Sequence, residues 1–297
     1  WQCDERTSRG IMDAAFEAGI SFFDTADVYP MGGSFDDVGK TEEIIGRWMK
    51  GKRHNLVLGT KVRNAVGRGP NQSGLSRRHI KDAIDASLLR LGTDYIDLYQ
   101  THSVDWDTPL EETQRALDDL VKEGKVRYLG CSKYPAWLVA KSLWVSETNG
   151  LARFECVQPR YNVLVRDVED ELYPLCQDQG LGVIPFNPLA GGVLSGKYAY
   201  EEGRPQGSRL AILEGVNRHT YEKWYWHADQ LAIVQELKAF FSRRGKNMIQ
   251  VALAWVLKNR IVTAPIVGAS STDQLTDTLG GLDIDLDEDE MALLDAV

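Results

Sequence analysis

Four polar side chains close or follow short apolar runs in the first third of the chain. Asp24 ends ISFFD (20–24), Tyr29 follows five residues later, Lys61 closes LVLGTK (56–61) and His102 closes YIDLYQTH (95–102). A phenol with a pKa near ~10 is a poor acid partner at neutral pH, and a neighbouring ammonium lowers that value. A carboxylate beside the ammonium keeps it charged, and an imidazole can donate a hydrogen bond to a carbonyl oxygen. Each residue alone has an ordinary explanation as a solvated rim group or a satisfied polar side chain. Together, on three consecutive strands, they form a candidate proton-donating site.

The elements that must position them alternate between two textures. One is the short β-branched or apolar run: 20–24, 56–61, 95–102, VRYLGCS (126–132), FECVQ (154–158), LGVIPF (181–186) and IVTAPIV (261–267). The other carries apolar residues at three- and four-residue spacing, as in TEEIIGRWMKGK (41–52), HIKDAIDASLLRLG (79–92), LEETQRALDDLVKEGK (110–125), WLVAKSLWVSE (137–147) and VEDELYPLCQDQG (168–180). Gly19, Gly92, Gly124 and Gly180 follow helical runs, where a left-handed C-cap is wanted. Thr108-Pro109 opens a further helix with Thr as cap and Pro at the first position.

Strands alternating with such helices predict βαβ units and a parallel sheet. The chain opens on a helix (5–18), so seven βα units behind an orphan helix predict a (β/α)₈ barrel whose first strand lies upstream of residue 1. A doubly wound open sheet is disfavoured because no G-x-G-x-x-G follows any strand. No linker or repeat divides the chain, and residues 1–297 are expected to form one barrel domain. Residues 187–227 make a connection of about forty residues, far longer than the usual βα loop. In a barrel such loops sit at the active-site face, so this one is expected to cover a cofactor or substrate.

With 34 basic and 43 acidic residues the formal charge is −9, a field that repels nucleic acid and anionic lipid. An anionic cofactor then needs a local cationic pocket. No apolar run approaches the roughly 18 residues of a membrane span, and no basic-then-apolar leader opens the chain. Cys3, Cys131, Cys156 and Cys176 lack CxxC spacing and read as reduced thiols of a cytoplasmic protein. The histidines at 54, 79, 102, 219 and 227 show neither an i, i+4 pair nor HExxH, so no metal site is expected. SFDDVGKT (34–41) nearly spells a phosphate loop, but Ser34 replaces its first Gly and two aspartates line it, so a helix cap is expected instead. GGVLSGKY (191–198) has Tyr198 where the metal-binding Ser or Thr belongs, though its amides and Lys197 suit a cofactor phosphate. Tyr221, Trp224, Tyr225 and Trp226 are expected to anchor the return of the long loop, or else to form an apolar wall for substrate or a subunit. The acidic run 283–290 is expected to lead into a last helix.

DTADVY (24–29), LGTK (58–61), LLRLGTDYIDLYQTH (88–102), GKVRYLGCS (124–132), VQPRYN (157–162), GVIPFNPLAGGVLSGKY (182–198) and PIVGASSTDQL (265–275) resemble, in order and spacing, the aldo-keto reductase family, in particular its bacterial and potassium-channel-β-subunit-like branch. The resemblance runs from near residue 10 to the C-terminus. It implies a barrel oxidoreductase using NADP(H) on a small-molecule aldehyde or ketone, with Asp24, Tyr29, Lys61 and His102 as the catalytic tetrad and Tyr29 as proton donor. It further implies that Ser132 and Gln158 hold the nicotinamide carboxamide and that Phe186 stacks on the ring. Asn187, Leu189, Gly191, Lys197 and Arg209 are implied to close over the pyrophosphate. Gly268, Ser270 and Gln274 are implied to hold the adenosine ribose and its 2′-phosphate. Three positions depart from the family pattern: Lys133 where Asn is common, Thr278 where Asn meets the adenine edge, and Asn187 where Ser is common.

Two rivals stand beside carbonyl reduction. One is a cofactor-binding regulatory subunit of slow turnover; the other is a barrel lyase that uses Lys61 as a Schiff base.

Overall fold

Val, Ile and Leu runs become strands and the amphipathic stretches become helices, because each buries one face while pairing its own backbone. The computed structural model describes residues 3–213 and 215–297, apart from the side chains of Val216 and Asn217. The chain falls into two units, one of residues 8–159 and 170–183 and one of residues up to 7, 160–169 and 184–297.

In the first unit, α1 (Glu5–Glu17) leads to β1 (Phe22–Asp24), α2 (Lys40–Trp48), β2 (Val57–Val62), α3 (Arg77–Leu91), β3 (Ile96–Thr101), α4 (Leu110–Lys122), β4 (Val126–Ser132), α5 (Ala136–Asn149), β5 (Phe154–Gln158), α6 (Leu172–Gln179) and β6 (Gly182–Val183). All neighbouring strands are parallel and the order is β1-β2-β3-β4-β5-β6. The order never reverses, so the sheet lacks the switch point of a doubly wound fold. Gly59 of β2 lies opposite Asp24 of β1, and Lys61 opposite Gln100, which faces Gly130. Register therefore brings the strand ends to one edge. The opposite phase of the strands meets the helices: the Thr60 hydroxyl donates at 2.6 Å to Glu42 of α2, and Arg90 of α3 donates at 2.7 Å to the same fully buried carboxylate. Helices α2 and α3 approach so closely at Gly46 that a Cβ there would stand 2.5 Å from the Arg90 carbonyl oxygen.

Several boundaries differ from those expected. The strand read at 181–186 keeps only two residues, because Pro185 has no amide to give to a ladder. The helix read over 168–180 starts at Leu172, behind a separate 3-10 turn at Asp167–Glu169. Pro109 rather than Thr108 is the cap of α4; the Thr108 hydroxyl is committed to Asp105 at 2.7 Å. Ser34 caps a 3-10 turn at Phe35–Asp37, with Asp37 reaching back to its amide, which is the cap reading of SFDDVGKT. Gly19, Gly92, Gly124 and Gly180 all adopt positive φ.

The second unit holds α7 (Arg209–Ile212), α8 (Gly215–Tyr225), α9 (Ala228–Arg243), α10 (Met248–Lys258), α11 (Thr272–Leu279) and α12 (Glu288–Asp295). The strand expected at 261–267 does not form. Its ladder is one parallel bridge from Ile266 to Phe186, which also bridges Arg160, and the Ile266 amide donates to the Pro185 carbonyl at 2.8 Å. Pro265 and Pro185 interrupt the donors on either side of that bridge. The long 187–227 connection is also more structured than expected, carrying a 3-10 segment at Ala190–Ser195 besides α7 and α8. Asp287 caps α12 with a capping box, as the acidic run suggested. No helix among the described residues is long and apolar enough to cross a membrane.

The Glu42–Arg90 pair is a test of how the helices are fastened to the sheet. Removing one member leaves an uncompensated buried charge, so Arg90→Met should destabilise the protein by about 3 kcal/mol. Denaturant unfolding followed by circular dichroism measures it, and a loss within 0.5 kcal/mol, the ~0.5 kcal/mol scatter of surface substitutions, would contradict the role given to the pair.

Candidate active site

The four candidate catalytic residues come together at the strand-end edge of the first unit. Asp24 is the last residue of β1, Tyr29 stands in the turn that follows, Lys61 lies in β2 and His102 directly follows β3. The Lys61 Nζ contacts the Asp24 carboxylate in a short ion pair and donates to the Thr25 carbonyl at 2.7 Å. The ammonium lies 5.5 Å from the centre of the Tyr29 ring, and the Tyr29 and His102 rings meet edge to face at 5.6 Å. The other Asp24 oxygen accepts from Gln100 at 2.8 Å and Gln158 at 3.2 Å, and Gln158 also donates to Gln100 at 3.0 Å.

Lys61 is 1 % exposed and Asp24 9 %. Burial is the strongest influence on Lys61 and pulls its pKa down, but Asp24, Tyr29 and Asp27 outweigh it and hold the value above that of an ordinary lysine. The ammonium is thus a fixed positive charge. His102 is driven the other way: burial first, then Lys61, Lys133 and Arg63, hold it well below the usual imidazole range. It is neutral at physiological pH and carries one proton. Asn64 places its amide nitrogen 3.2 Å from His102 Nδ1. An amide nitrogen only donates, so Nδ1 accepts and the ring proton sits on Nε2.

Ser132 ends β4 and Gln158 ends β5, in register with each other. The Ser132 hydroxyl donates to the Gln158 carbonyl at 2.9 Å, and the Gln158 amide nitrogen is spent on Asp24 and Gln100. Both side chains keep acceptor oxygens for a carboxamide NH₂. Lys133 follows, with its amide on the Gln158 carbonyl at 3.3 Å.

The remaining candidate cofactor residues lie in the second unit. Phe186 occupies the two-sided bridge, and Asn187 has φ 59°. Leu189 precedes the 3-10 segment, within which Gly191 and Gly192 take φ 68° and 96°. Arg209 is half-buried, and burial first, then Arg209, depress Lys197, so two cations are held near one another. Arg209 donates to the Tyr221 hydroxyl at 3.4 Å, and a Cβ on Gly191 would stand 2.7 Å from the Tyr221 ring. Tyr225, fully buried, accepts from Asn162 at 3.3 Å, while Arg160 stacks over Trp224 at 4.4 Å. The aromatic run of α8 therefore anchors the long loop. Gly268 precedes the turn in which the Ser270 amide and hydroxyl both donate to the Gln274 side chain, at 3.0 and 2.9 Å. The Thr278 hydroxyl is turned onto the Gln274 carbonyl at 2.8 Å.

Gln100, Asn64 and Arg63 were not singled out by sequence. Gln100 sits one turn of the pleat before His102 on the same strand, in YQTH, and that two-residue spacing is the signal that could have found it. Asn64 lies in a loop, where no periodicity reports which way a side chain points.

The chain matches the model of the aldo/keto reductase family over residues 1–297. It is 37% identical to an uncharacterized oxidoreductase of Bacillus subtilis, YrpG, over 99% of this chain and 87% of that protein. It is 35% identical to a probable voltage-gated potassium channel subunit beta of rice (95% and 84% covered) and 33% identical to the versiconal hemiacetal acetate reductase of Aspergillus parasiticus (99% and 88% covered).

The neutral state of His102 has a consequence for stability. Its folded pKa lies below the unfolded value near 6.5, so the unfolded chain binds the proton first. Stability from this group is complete above about pH 6.5 and is lost as pH falls below it. Histidine-labelled NMR should show the Nε2–H tautomer of His102 persisting below pH 6.5, and Asn64→Asp, which offers Nδ1 a carboxylate, should raise the midpoint. An ordinary titration near 6.5 in the unsubstituted protein, or an unmoved midpoint in the variant, would refute this account.

Proposed function

The chain belongs to the aldo/keto reductase family, and on that premise we propose that it reduces an aldehyde or ketone with NADPH, with Tyr29 as proton donor and Asp24, Lys61 and His102 arranging the transfer. The observation that carries the reading is the buried Lys61–Asp24 pair beside the Tyr29 ring, with the His102 ring edge to face against that same ring. When bound, the reduced nicotinamide supplies the hydride. The chain's own residues do the rest. His102 Nε2–H donates to the substrate carbonyl oxygen and orients it. Tyr29 delivers its proton to that oxygen as negative charge grows there. Lys61 stabilises the charge left on the tyrosine oxygen, and Asp24 keeps Lys61 protonated in spite of its burial.

The residues present suit the cofactor. Ser132 and Gln158 offer acceptors to the carboxamide, Phe186 an apolar ring face, and Asn187, Leu189, Gly191, Lys197 and Arg209 a turn with two cations for the pyrophosphate. Gly268, Ser270 and Gln274 are assigned to the ribose and its 2′-phosphate. The unreversed parallel strand order supports the finer reading of the fold as a single (β/α)₈ barrel, with the 187–227 loop covering the cofactor. The four free cysteines support a cytoplasmic location.

The relation to a probable channel β subunit supports a second reading, a regulatory subunit that turns over slowly. Steady-state NADPH oxidation with simple aldehydes separates the two: turnover on the order of 1 s⁻¹ or faster, usual for enzymes, supports the first.

Tyr29→Phe keeps the ring and removes the hydroxyl, so cofactor affinity should hold while kcat falls by the ~10²–10⁴-fold of a lost general acid. Lys61→Met should do comparable damage. Asp24→Asn should also lower kcat, and should make it fall further as pH rises, because Lys61 then faces burial without its carboxylate and loses its proton at lower pH. Wild-type-like kcat in Tyr29→Phe would sink the mechanism. NADPH should bind more tightly than NADH by fluorescence titration, and equal dissociation constants would refute the cofactor preference.

A further inference from the structure

We propose that the cleft between the β3–α4 loop and α5 binds a single-ring aromatic carboxylate, at a site separate from the tetrad. Its lining includes none of Asp24, Tyr29, Lys61 and His102.

Loop and helix bring two tryptophans together. Trp106 stands in the loop that leaves β3, four residues after His102, and Trp137 lies in the first turn of α5. Their rings stack with centroids 6.1 Å apart and planes inclined by 24°. Trp106 is nevertheless 69 % exposed and Trp137 55 %, so the stack leaves aromatic surface bare in water. Large apolar surface held open to solvent in this way marks a binding surface. Asp105 fixes the loop beside Trp106. One of its oxygens accepts from the Leu75 amide and the Thr108 hydroxyl, at 2.7 Å each, and the other from the Asp107 amide at 3.1 Å. A surface held in place before its ligand arrives gives up little entropy on binding.

The rings border a cavity of about 150 Å³ floored by Leu75, Val104, Leu110 and Leu138. An apolar cavity of about that size takes up benzene, which suits one ring. Polar atoms around it are satisfied from within: besides Asp105 and Thr108, the Thr113 hydroxyl donates to the Leu75 carbonyl at 3.0 Å. A polar guest such as a sugar would lose water there without recovering hydrogen bonds. Lys141 is the exception. It lines the same cleft one helical turn after Trp137, on the same face of α5, and among the described residues it meets no carboxylate. Ring face and cation together match an aromatic acid: the ring enters against the indoles and the carboxylate stays at the rim beside Lys141.

The test titrates the protein with phenylacetate in the presence of NADP⁺ and follows the tryptophan indole N–H signals by ¹⁵N NMR. Trp106→Phe and Trp137→Phe identify the two signals that matter, and binding elsewhere leaves them still. Both should move with one dissociation constant on the order of 1 mM, the reach of a ligand of this size. Cyclohexylacetate, which has no π face, should bind about fivefold more weakly, and phenylacetamide, which has no charge, about threefold. Lys141→Gln should abolish the preference for the acid over the amide. Trp137→Ala, read on the Trp106 signal, should weaken phenylacetate by about tenfold. Circular dichroism should show wild-type folding in each variant, because the replaced side chains are exposed. Indole signals that stay still at the highest soluble concentration would overturn the site, as would equal affinities for the acid, the amide and the cyclohexyl compound. So would undiminished phenylacetate binding in Trp137→Ala. Concentration-dependent dimerisation that the same substitution abolishes would give the face to a second copy of the chain and overturn the site as well.

Discussion

A lysine ammonium buried to 1 % exposure is the constraint around which the first unit is organised. Desolvation favours loss of its proton, and a neutral amine could not support negative charge on a neighbouring phenol oxygen. Asp24 supplies the counter-charge and the Thr25 carbonyl a second acceptor. Gln100 and Gln158 hold the carboxylate so that it stays aimed at Lys61. Each contributes because another is fixed: Gln158 also donates to Gln100, and Ser132 ties the Gln158 backbone in place. The group belongs to one network drawn from β1, β2, β3, β4 and β5.

That network needs neighbouring strands in fixed register, which a parallel sheet enforces through its evenly spaced hydrogen bonds. A slip of one residue would turn Lys61 and Gln100 towards the helices and Thr60 and Tyr99 towards the site. The helix side guards against such a slip with its own buried polar pair, Glu42 with Arg90, to which Thr60 is bonded. The two faces of β2 thus carry incompatible partners, and only one register satisfies both.

His102 shows the same low dielectric acting in the opposite sense. Burial favours the charged lysine only because a carboxylate accompanies it, whereas His102 has cations for neighbours and stays neutral. One cluster therefore holds a permanent positive charge and a neutral donor, both beside the Tyr29 ring, as transfer of a proton to a carbonyl oxygen requires. In the second unit the backbone does comparable work. Gly191 and Gly192 leave the standard φ range, and Tyr221 packs where a side chain on Gly191 would stand, so the loop's shape depends on that residue lacking a Cβ.

Strand ends, helices and the identity of the tetrad were legible because period-two and period-3.6 patterns report which face is buried, and because the polar residues that break those patterns stand out. Asp24, Lys61 and His102 each close an apolar run, and sequence by itself determined that they share an edge of one parallel sheet. It could not decide where backbone pairing stops. IVTAPIV has strand composition, yet its only ladder is one bridge, since Pro265 and Pro185 withhold donors where partners would need them. Nor could it show that Arg209–Ile212 and Gly215–Tyr225 form helices, since short helices there are stabilised by packing against the glycine turn rather than by propensity. Asn64 on His102 and Gln100 on Asp24 were decided by tertiary structure alone. These contacts join residues far apart in the chain, and their energies come from burial and from charges whose neighbours exist only once the strands are side by side.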